Sequence, residues 1–441
     1  MLQIMLLCTL AADPAAWWKS YGDPVLSELV ERALKTNLDL RQARARVAEA
    51  RALTGEARSA LLPSLGWNGG AQQLRGGFQQ GIVRVPQSGS GGAASFVTPF
   101  ETGLLSASLD TRWEISFWGS NSKRVSAARA DVQAAEDEAL YAQIVVSAEV
   151  ARTYFEMRGL ERQLDAVRRN RARQADLLEL TKLRAAAGLG TELDVERQAA
   201  ALASLEAGIP MLESERTVRL NRLGVLVADR SFAAQPLPAA PLEVRLPRLE
   251  GGIDSGLLLR RPDVRAAEAR IQAATARLKA ARSESYPRVL LTGLMGRQGT
   301  SVSGLSLGGG NFFGVGPQLV LPIFTGGRIR ANIQANDARL EQASVAYEQE
   351  LLAAFQETED AIAGYRAELE RTAKLQQAKA SASSALSMAE NLYVGGAGDF
   401  LAVLEAQRAV LEMEQEMAAA EAAAAVRSVL LFKAVAGGLS P

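Results

Sequence analysis

Two stretches of this chain, residues 120–184 and 327–393, contain no proline and almost no glycine, and each reads as one uninterrupted helix. At a rise of 1.5 Å per residue each spans roughly 100 Å. No compact domain holds such a helix, so each must belong to a coiled coil, a bundle or a tube. A bilayer offers about 30 Å of hydrocarbon, so helices of this length project far beyond one. The many alanines and the low aromatic content, 5%, suit long helices packed through small side chains.

The chain repeats itself. NLDLRQARARVAEARALTGEARSALLP (37–63) aligns with RPDVRAAEARIQAATARLKAARSESYP (261–287) at an offset of 224, with 11 of 27 positions identical. Five matches are alanine and expected by chance. The others are Asp39/Asp263, Arg41/Arg265, Arg46/Arg270, Arg58/Arg282, Ser59/Ser283 and Pro63/Pro287. A second correspondence, at offset 208, relates Gly188, Gly190, Leu193, Val195 and Leu223 to Gly396, Gly398, Leu401, Val403 and Leu431. The change of offset places an insertion in the Gly/Ser-rich stretch 77–99. The expected organisation is a leader segment 1–20, a first repeat 21–230 and a Pro-rich connector 231–250, followed by a second repeat 251–441. Each repeat holds a helix ending at a proline (Pro63, Pro287), a pair of strands, a very long helix, a Gly-containing turn and a second helix. The strand pairs are expected at 64–74 with 104–117 and at 288–298 with 313–323, and Gly-rich loops at 77–95 and 299–311.

The strands carry the argument about a membrane. Over 105–117, Leu105, Ala107, Leu109, Thr111, Trp113, Ile115 and Phe117 alternate with Ser106, Ser108, Asp110, Arg112, Glu114 and Ser116. In 313–323 the apolar face is Phe313, Val315, Leu319, Leu321 and Ile323. Alternation by itself fits a soluble sheet as well as an outer-membrane barrel whose apolar side meets lipid. The Ala-rich helices offer no large apolar core to cover these strands, and Trp113, Phe117 and Trp118 stand at a strand end, where an aromatic girdle belongs. The segment 288–298 alternates poorly. Four strands cannot close a barrel, and lipid does not tolerate open sheet edges, so a membrane reading requires several copies. Three would supply twelve strands.

Composition removes most other functions. There is no histidine, which excludes imidazole metal sites, His-based triads and His general bases. Lys+Arg and Asp+Glu balance at 49 each, without the basic excess of a nucleic-acid binder. The carboxylates are scattered beside arginines along helices, with no pair set apart as acid and base, and no Gly-rich phosphate motif occurs. Nothing calls for a cofactor, a metal or an enzymatic activity. Cys8 is the single cysteine, so no intrachain disulfide forms. Leu6-Leu7-Cys8-Thr9 partly matches a lipoprotein cleavage site, but Leu7 stands where a small residue is usual. Lipidation of Cys8 and an incidental cysteine are both open.

The chain resembles the TolC-type outer-membrane efflux proteins, within them the OprM-like branch that serves RND drug pumps. The resemblance is carried by LLLRRPDVRAAEARIQAA (257–274), WWKSYGDPVLSELVERALKTNLDL (17–40), FWGSNSKRVSAARADVQAAE (117–136), VARTYFEMRGLERQL (150–164), LPIFTGGRIRANI (321–333) and GDFLAVLEAQRAVLEMEQ (398–415). It implies a mostly helical α+β membrane protein, in which long helices form a trimeric α-barrel tunnel and four strands per chain join a shared twelve-stranded transmembrane β-barrel. It also implies the bacterial outer membrane as location, a homotrimer touching outer-membrane lipid, and docking to a periplasmic adaptor and an inner-membrane RND transporter. The duct would passively conduct drugs or other small molecules from periplasm to exterior. The turns 186–192 and 394–399 would lie at its periplasmic tip, with Gly188, Gly190, Gly396 and Gly398 in the adaptor-contacting turns. By position, Asp194, Arg197, Asp399, Glu405 and Arg408 are the candidates for the charged gate. The family often has aspartate where Ala402 stands, so the resemblance does not fix the position or the number of carboxylate rings here. The rival readings are the same fold serving a one-step (type I) protein-secretion system, and a structural coiled-coil envelope protein, against which the strand pairs speak.

Overall fold

The computed structural model describes residues 14–79, 97–235, 237–238, 258–302 and 305–436. Cys8 lies outside the described residues, as do most of the connector 231–250 and of the stretch 77–99. After a 3-10 segment (Pro14–Tyr21) the elements are α1 (Pro24–Thr36), α2 (Leu38–Ser59), β1 (Ser64–Gln79), β2 (Val97–Ile115), α3 (Ser120–Ala186) and α4 (Glu192–Leu226). A short 3-10 turn (Phe232–Ala234) precedes α5 (Pro262–Ser283), β3 (Arg288–Val302), β4 (Leu305–Val320), α6 (Arg328–Val394) and α7 (Phe400–Ala434). The repeat is visible in these bounds. α2 and α5 are both 22 residues long, α3 and α6 both 67, and α4 and α7 both 35.

Several expected boundaries need correction. β1 runs to Gln79 rather than 74, and β2 begins at Val97 rather than 104. The stretch 299–311, expected as a loop, is mostly strand, because β3 runs to Val302 and β4 begins at Leu305. Strand pairing sets Gly299 opposite Gly309 and Ser301 opposite Ser306, with a register shift between the two pairs, and Gly308 takes a φ of +99° that glycine tolerates. β4 ends at Val320 rather than 323, just before Pro322, which lacks the N–H a strand donates. β2 ends at Ile115 rather than 117, and the chain turns into α3 through Gly119, whose φ is +74°.

The chain forms two compact units, each drawing on both repeats. One comprises residues 1–48, 133–268 and 345–441, the other 49–132 and 269–344. The first is helical. Asp23 caps α1 by accepting from the N–H groups of Val25 and Leu26 at 2.8 and 3.1 Å. Its second oxygen accepts from Tyr154 Oη on α3 at 2.6 Å, and Arg158 Nε donates to that same hydroxyl at 3.1 Å. Trp17 stacks on Phe432 of α7 at 5.3 Å, and Tyr21 meets Phe155 edge-on and shares a hydrogen bond with Ser428. Leu26, Val30, Leu223 and Val429 complete a core from which water is excluded. Each such side chain contributes roughly 1.5–3 kcal/mol by burial. Asn37 ends α1 and begins α2, accepting from Asp39 N and Leu40 N while its amide donates to Leu226 O at the end of α4.

Along the α3–α4 hairpin runs an antiparallel ladder of ion pairs: Glu149–Arg222, Glu156–Arg219, Glu161–Arg216, Arg168–Glu213 and Arg171–Glu206, at 2.6 to 3.2 Å. Exposed pairs of this kind are each worth only about 0.2–1 kcal/mol, but their spacing fixes one register between the two helices. Near the start of α5, Arg261 is 3% exposed and donates to Asp263, to Glu357 of α6 and to the carbonyl of Ala434 in α7. Lys433 joins the group through Glu357 at 2.8 Å. Burial opposes the charge of Arg261, yet the bonds to Asp263 and Glu357 hold its pKa above the ordinary guanidinium value. Glu357 is desolvated too, and Lys433 and Arg261 nevertheless hold its carboxyl below the usual range. Replacing Arg261 with methionine leaves a buried carboxylate without its partner. The expected loss is about 3–5 kcal/mol, read as a lower unfolding midpoint in the helical circular dichroism signal, with Arg261→Lys losing less.

The second unit is built on a four-stranded antiparallel sheet in the order β1-β2-β3-β4. Trp113 Nε1 donates to Leu61 O, Trp118 Nε1 donates to Pro287 O, and the Trp118 ring stacks on Tyr286 at 4.9 Å. These contacts tie the strand ends to the ends of α2 and α5.

The membrane face and the helical turns

Register assigns every strand residue to a face. One cross-strand row reads Trp67, Leu109, Met295 and Phe313, and another reads Leu65, Thr111, Gly293 and Val315. Most of the bulky apolar side chains of the four strands therefore share a single side, although β3 shows no clean alternation in its sequence and puts Leu290 and Leu294 on the other. The other side carries Asn68, Asp110, Arg112 and Glu114, with Asn68 bonded to Asp110. In a soluble sheet the apolar face is the covered one. Here Leu65, Trp67, Leu105, Phe313, Val315 and Leu319 are 63 to 77% exposed, and no element of the unit lies over them. That is the pattern of a sheet whose solvent on this side is lipid. Phe117, Trp118, Ile323 and Phe324 are exposed where the strands give way to helices, the level of an aromatic girdle. No described helix is long and apolar enough to cross a membrane, so among the described elements the sheet is the candidate to do so.

The two helical turns lie in the first unit. At the first, α3 closes with Gly188 at φ +72°, and Leu189 N reaches back to Arg184 O at 2.9 Å. Thr191 caps α4. Its hydroxyl accepts from Asp194 N, while Asp194 accepts from Thr191 N at 3.3 Å and from the Thr191 hydroxyl at 2.7 Å. This is a capping box, so the Asp194 carboxylate is held by its own helix end. At the second turn Gly396 has φ +75°, and Gly398 packs so closely on Leu392 and Tyr393 that a Cβ would lie 2.9 Å from their atoms. Asp399 caps α7 by accepting from Leu401 N at 3.2 Å. Thr191 and Asp399 thus hold equivalent positions in the two repeats, both as caps.

The structure separates the expected gate residues into two kinds. Asp194 and Asp399 have structural duties, whereas Arg197, Glu405 and Arg408 are exposed and make no hydrogen bond or ion pair among the described residues. Sequence reasoning missed what holds the turns together. Tyr393, Phe400 and Val403 form a small core with Leu177, and Arg184 lies 4.5 Å above the Tyr393 ring. The aromatic pair flanking the glycines of the second turn was the available signal.

A sheet that exposes its apolar face, joined to helices of 67 residues, defines an outer-membrane duct. The sequence profile of the family described as "Outer membrane efflux protein" matches residues 29–228 and 255–437. The chain belongs to that family. It is 31% identical over 433 residues to the "Pyoverdine export outer membrane protein OpmQ" of Pseudomonas aeruginosa, covering 97% of this chain and 88% of that one. It is 33% identical to the "Outer membrane protein OprJ" of the same species, covering 96% and 86%. Among solved structures, the open-state MtrE outer membrane channel of Neisseria gonorrhoeae matches with a TM-score of 0.82 at 27% identity, over 96% of this chain and 92% of that one. The outer-membrane channel OprN matches with a TM-score of 0.80 at 30% identity, over 96% and 92%. The protein is an efflux channel of the bacterial outer membrane and not an enzyme, and it works as part of a pump complex.

The capping box gives a direct test. Thr191→Ala should cost about 1 kcal/mol and speed amide exchange at residues 192–194, with Thr191→Ser restoring protection. Unchanged exchange in Thr191→Ala would mean that the turn does not depend on this cap.

Proposed function

We propose that three copies of this chain form one duct, with a shared twelve-stranded barrel in the outer membrane. The observation that carries this is the open sheet. Among the described residues β1 and β4 each have one neighbour, so their outer edges present unpaired N–H and C=O groups. Each such group costs several kcal/mol in hydrocarbon, and pairing β1 of one copy with β4 of the next removes the cost. The detergent-purified complex should have a protein mass of three chains of 47.0 kDa, about 141 kDa, by light scattering with detergent subtracted. A monomer or dimer stable without detergent would overturn the barrel.

The duct serves a tripartite pump of RND type, joined through a periplasmic adaptor to an inner-membrane transporter that supplies the energy. It passively conducts drugs or other small molecules from periplasm to exterior. The turns holding Gly188, Gly190, Gly396 and Gly398 are the adaptor contacts. Asp194, Arg197, Asp399, Glu405 and Arg408 form the charged gate, where three-fold symmetry gathers like charges into rings that favour cations. The relatives' names support small-molecule export, one being a pyoverdine exporter and another a toluene efflux component.

Because Asp399 and Asp194 also act as helix-end ligands, alanine would confuse lost charge with lost structure. Asparagine caps a helix as well as aspartate does. Asp399→Asn and Asp194→Asn should therefore raise single-channel conductance in planar bilayers if charge holds the tip shut, the double variant most. No change in the asparagine variants, with a rise only for Asp399→Ala, would mean that the cap and not the charge controls the pore.

A further inference from the structure

The lipid-facing side of the sheet is not uniformly apolar. Outward of the bulky row Trp67–Leu109–Met295–Phe313, the next row reads Gly69, Ala107, Arg297 and Asn311, and the one after it Ala71, Leu105, Gly299 and Gly309. The small side chains leave a hollow of about 850 Å³, lined by Ala71, Gly103, Ala107, Gly299 and Gly309 with Arg297 at its edge. Gly299 has open space where a side chain would stand.

Arg297 is exposed on this face and has no hydrogen-bond or ion-pair partner among the described residues. The other charges on the same side, Arg75 and Glu101, neutralise each other at 2.6 Å. Residues 80–96 contain no acidic side chain that could serve Arg297. Its depth is informative. Arg297 stands nine residues from the start of β3 at Arg288, beside the Trp118–Tyr286 stack. With a rise of about 3.4 Å per residue and a strand tilt of about 40°, that is about 23 Å along the membrane normal, against an apolar band about 25 Å tall. Arg297 therefore reaches the level of the outer-leaflet headgroups. A cation is costly at mid-bilayer but not at the interface, where anionic groups are its natural partners.

The geometry points to a lipid site: Arg297 binds the phosphate of a phosphorylated glycolipid of the outer leaflet, and the hollow beside it seats the adjoining part of that lipid. The charge selects a phosphate, and the hollow, which lies outward of Arg297, selects a molecule with bulk directly beyond that phosphate.

The test is native mass spectrometry of the whole detergent-purified assembly incubated with bisphosphoryl lipid A or, separately, phosphatidylglycerol. Wild type should retain lipid A in preference to phosphatidylglycerol. Arg297→Gln, which removes the charge, and Gly299→Leu, which fills the hollow, should each lower lipid A occupancy about fivefold. Arg297→Lys should retain it. Gly299→Leu keeps the test alive should Arg297→Gln fail to assemble. Wild-type occupancy in either variant, or phosphatidylglycerol bound as well as lipid A, overturns the assignment.

Discussion

Backbone hydrogen bonding in hydrocarbon is the constraint on which the rest of this structure depends. Among the described residues, a four-stranded sheet with an exposed apolar face satisfies its inner strands and leaves two edges open. In water those edges would be hydrated; in lipid they are not, and only another strand can replace the lost water. The repeat makes this tractable. Each half supplies one strand pair, β2 joins β3 across the halves, and β1 and β4 are left as the free sides. The two faces then need not be alike, since one meets lipid and the other meets water.

The helical unit solves a different problem. Its helices are rich in alanine and poor in large apolar residues, so burial alone specifies their mutual register weakly. Two devices add that specification. Between α3 and α4 the ladder of arginine–glutamate pairs permits one alignment. Among α5, α6 and α7 the buried Arg261 collects two carboxylates and a carbonyl at one point. The second hairpin has no comparable ladder among its described residues; Arg371–Glu416 and Lys433–Glu357 are the pairs it shows. The two repeats therefore share a backbone plan but not a way of holding it.

At the turns, chemistry and architecture compete for the same carboxylates. A helix N-terminus favours a negative charge and offers unpaired N–H groups, so an acidic residue there stabilises the fold whether or not it faces a pore. Asp194 and Asp399 are both used in this way. Arg197, Glu405 and Arg408 carry no such duty among the described residues.

Much of this was legible in the sequence. Helix length followed from the absence of breakers, and the repeat from two offsets whose difference falls between β1 and β2. The apolar faces of β2 and β4 followed from alternation, because strand side chains obey a period of two wherever they are placed. What tertiary structure decided was everything that depends on pairing. β3, with Leu290 and Leu294 on the polar side, could be assigned a face only by its register against Leu109 and Phe313. The glycines and serines of 299–311 looked like a loop because composition reports propensity, whereas cross-strand hydrogen bonds make them strand. Arg261 stood out as a motif residue, but its partners Glu357 and Ala434 lie about 100 and 170 residues away, a distance along the chain that no local pattern encodes. Arg297 was unremarked for the same reason: a lone arginine in a glycine-rich segment acquires meaning only when the rows above and below it are known.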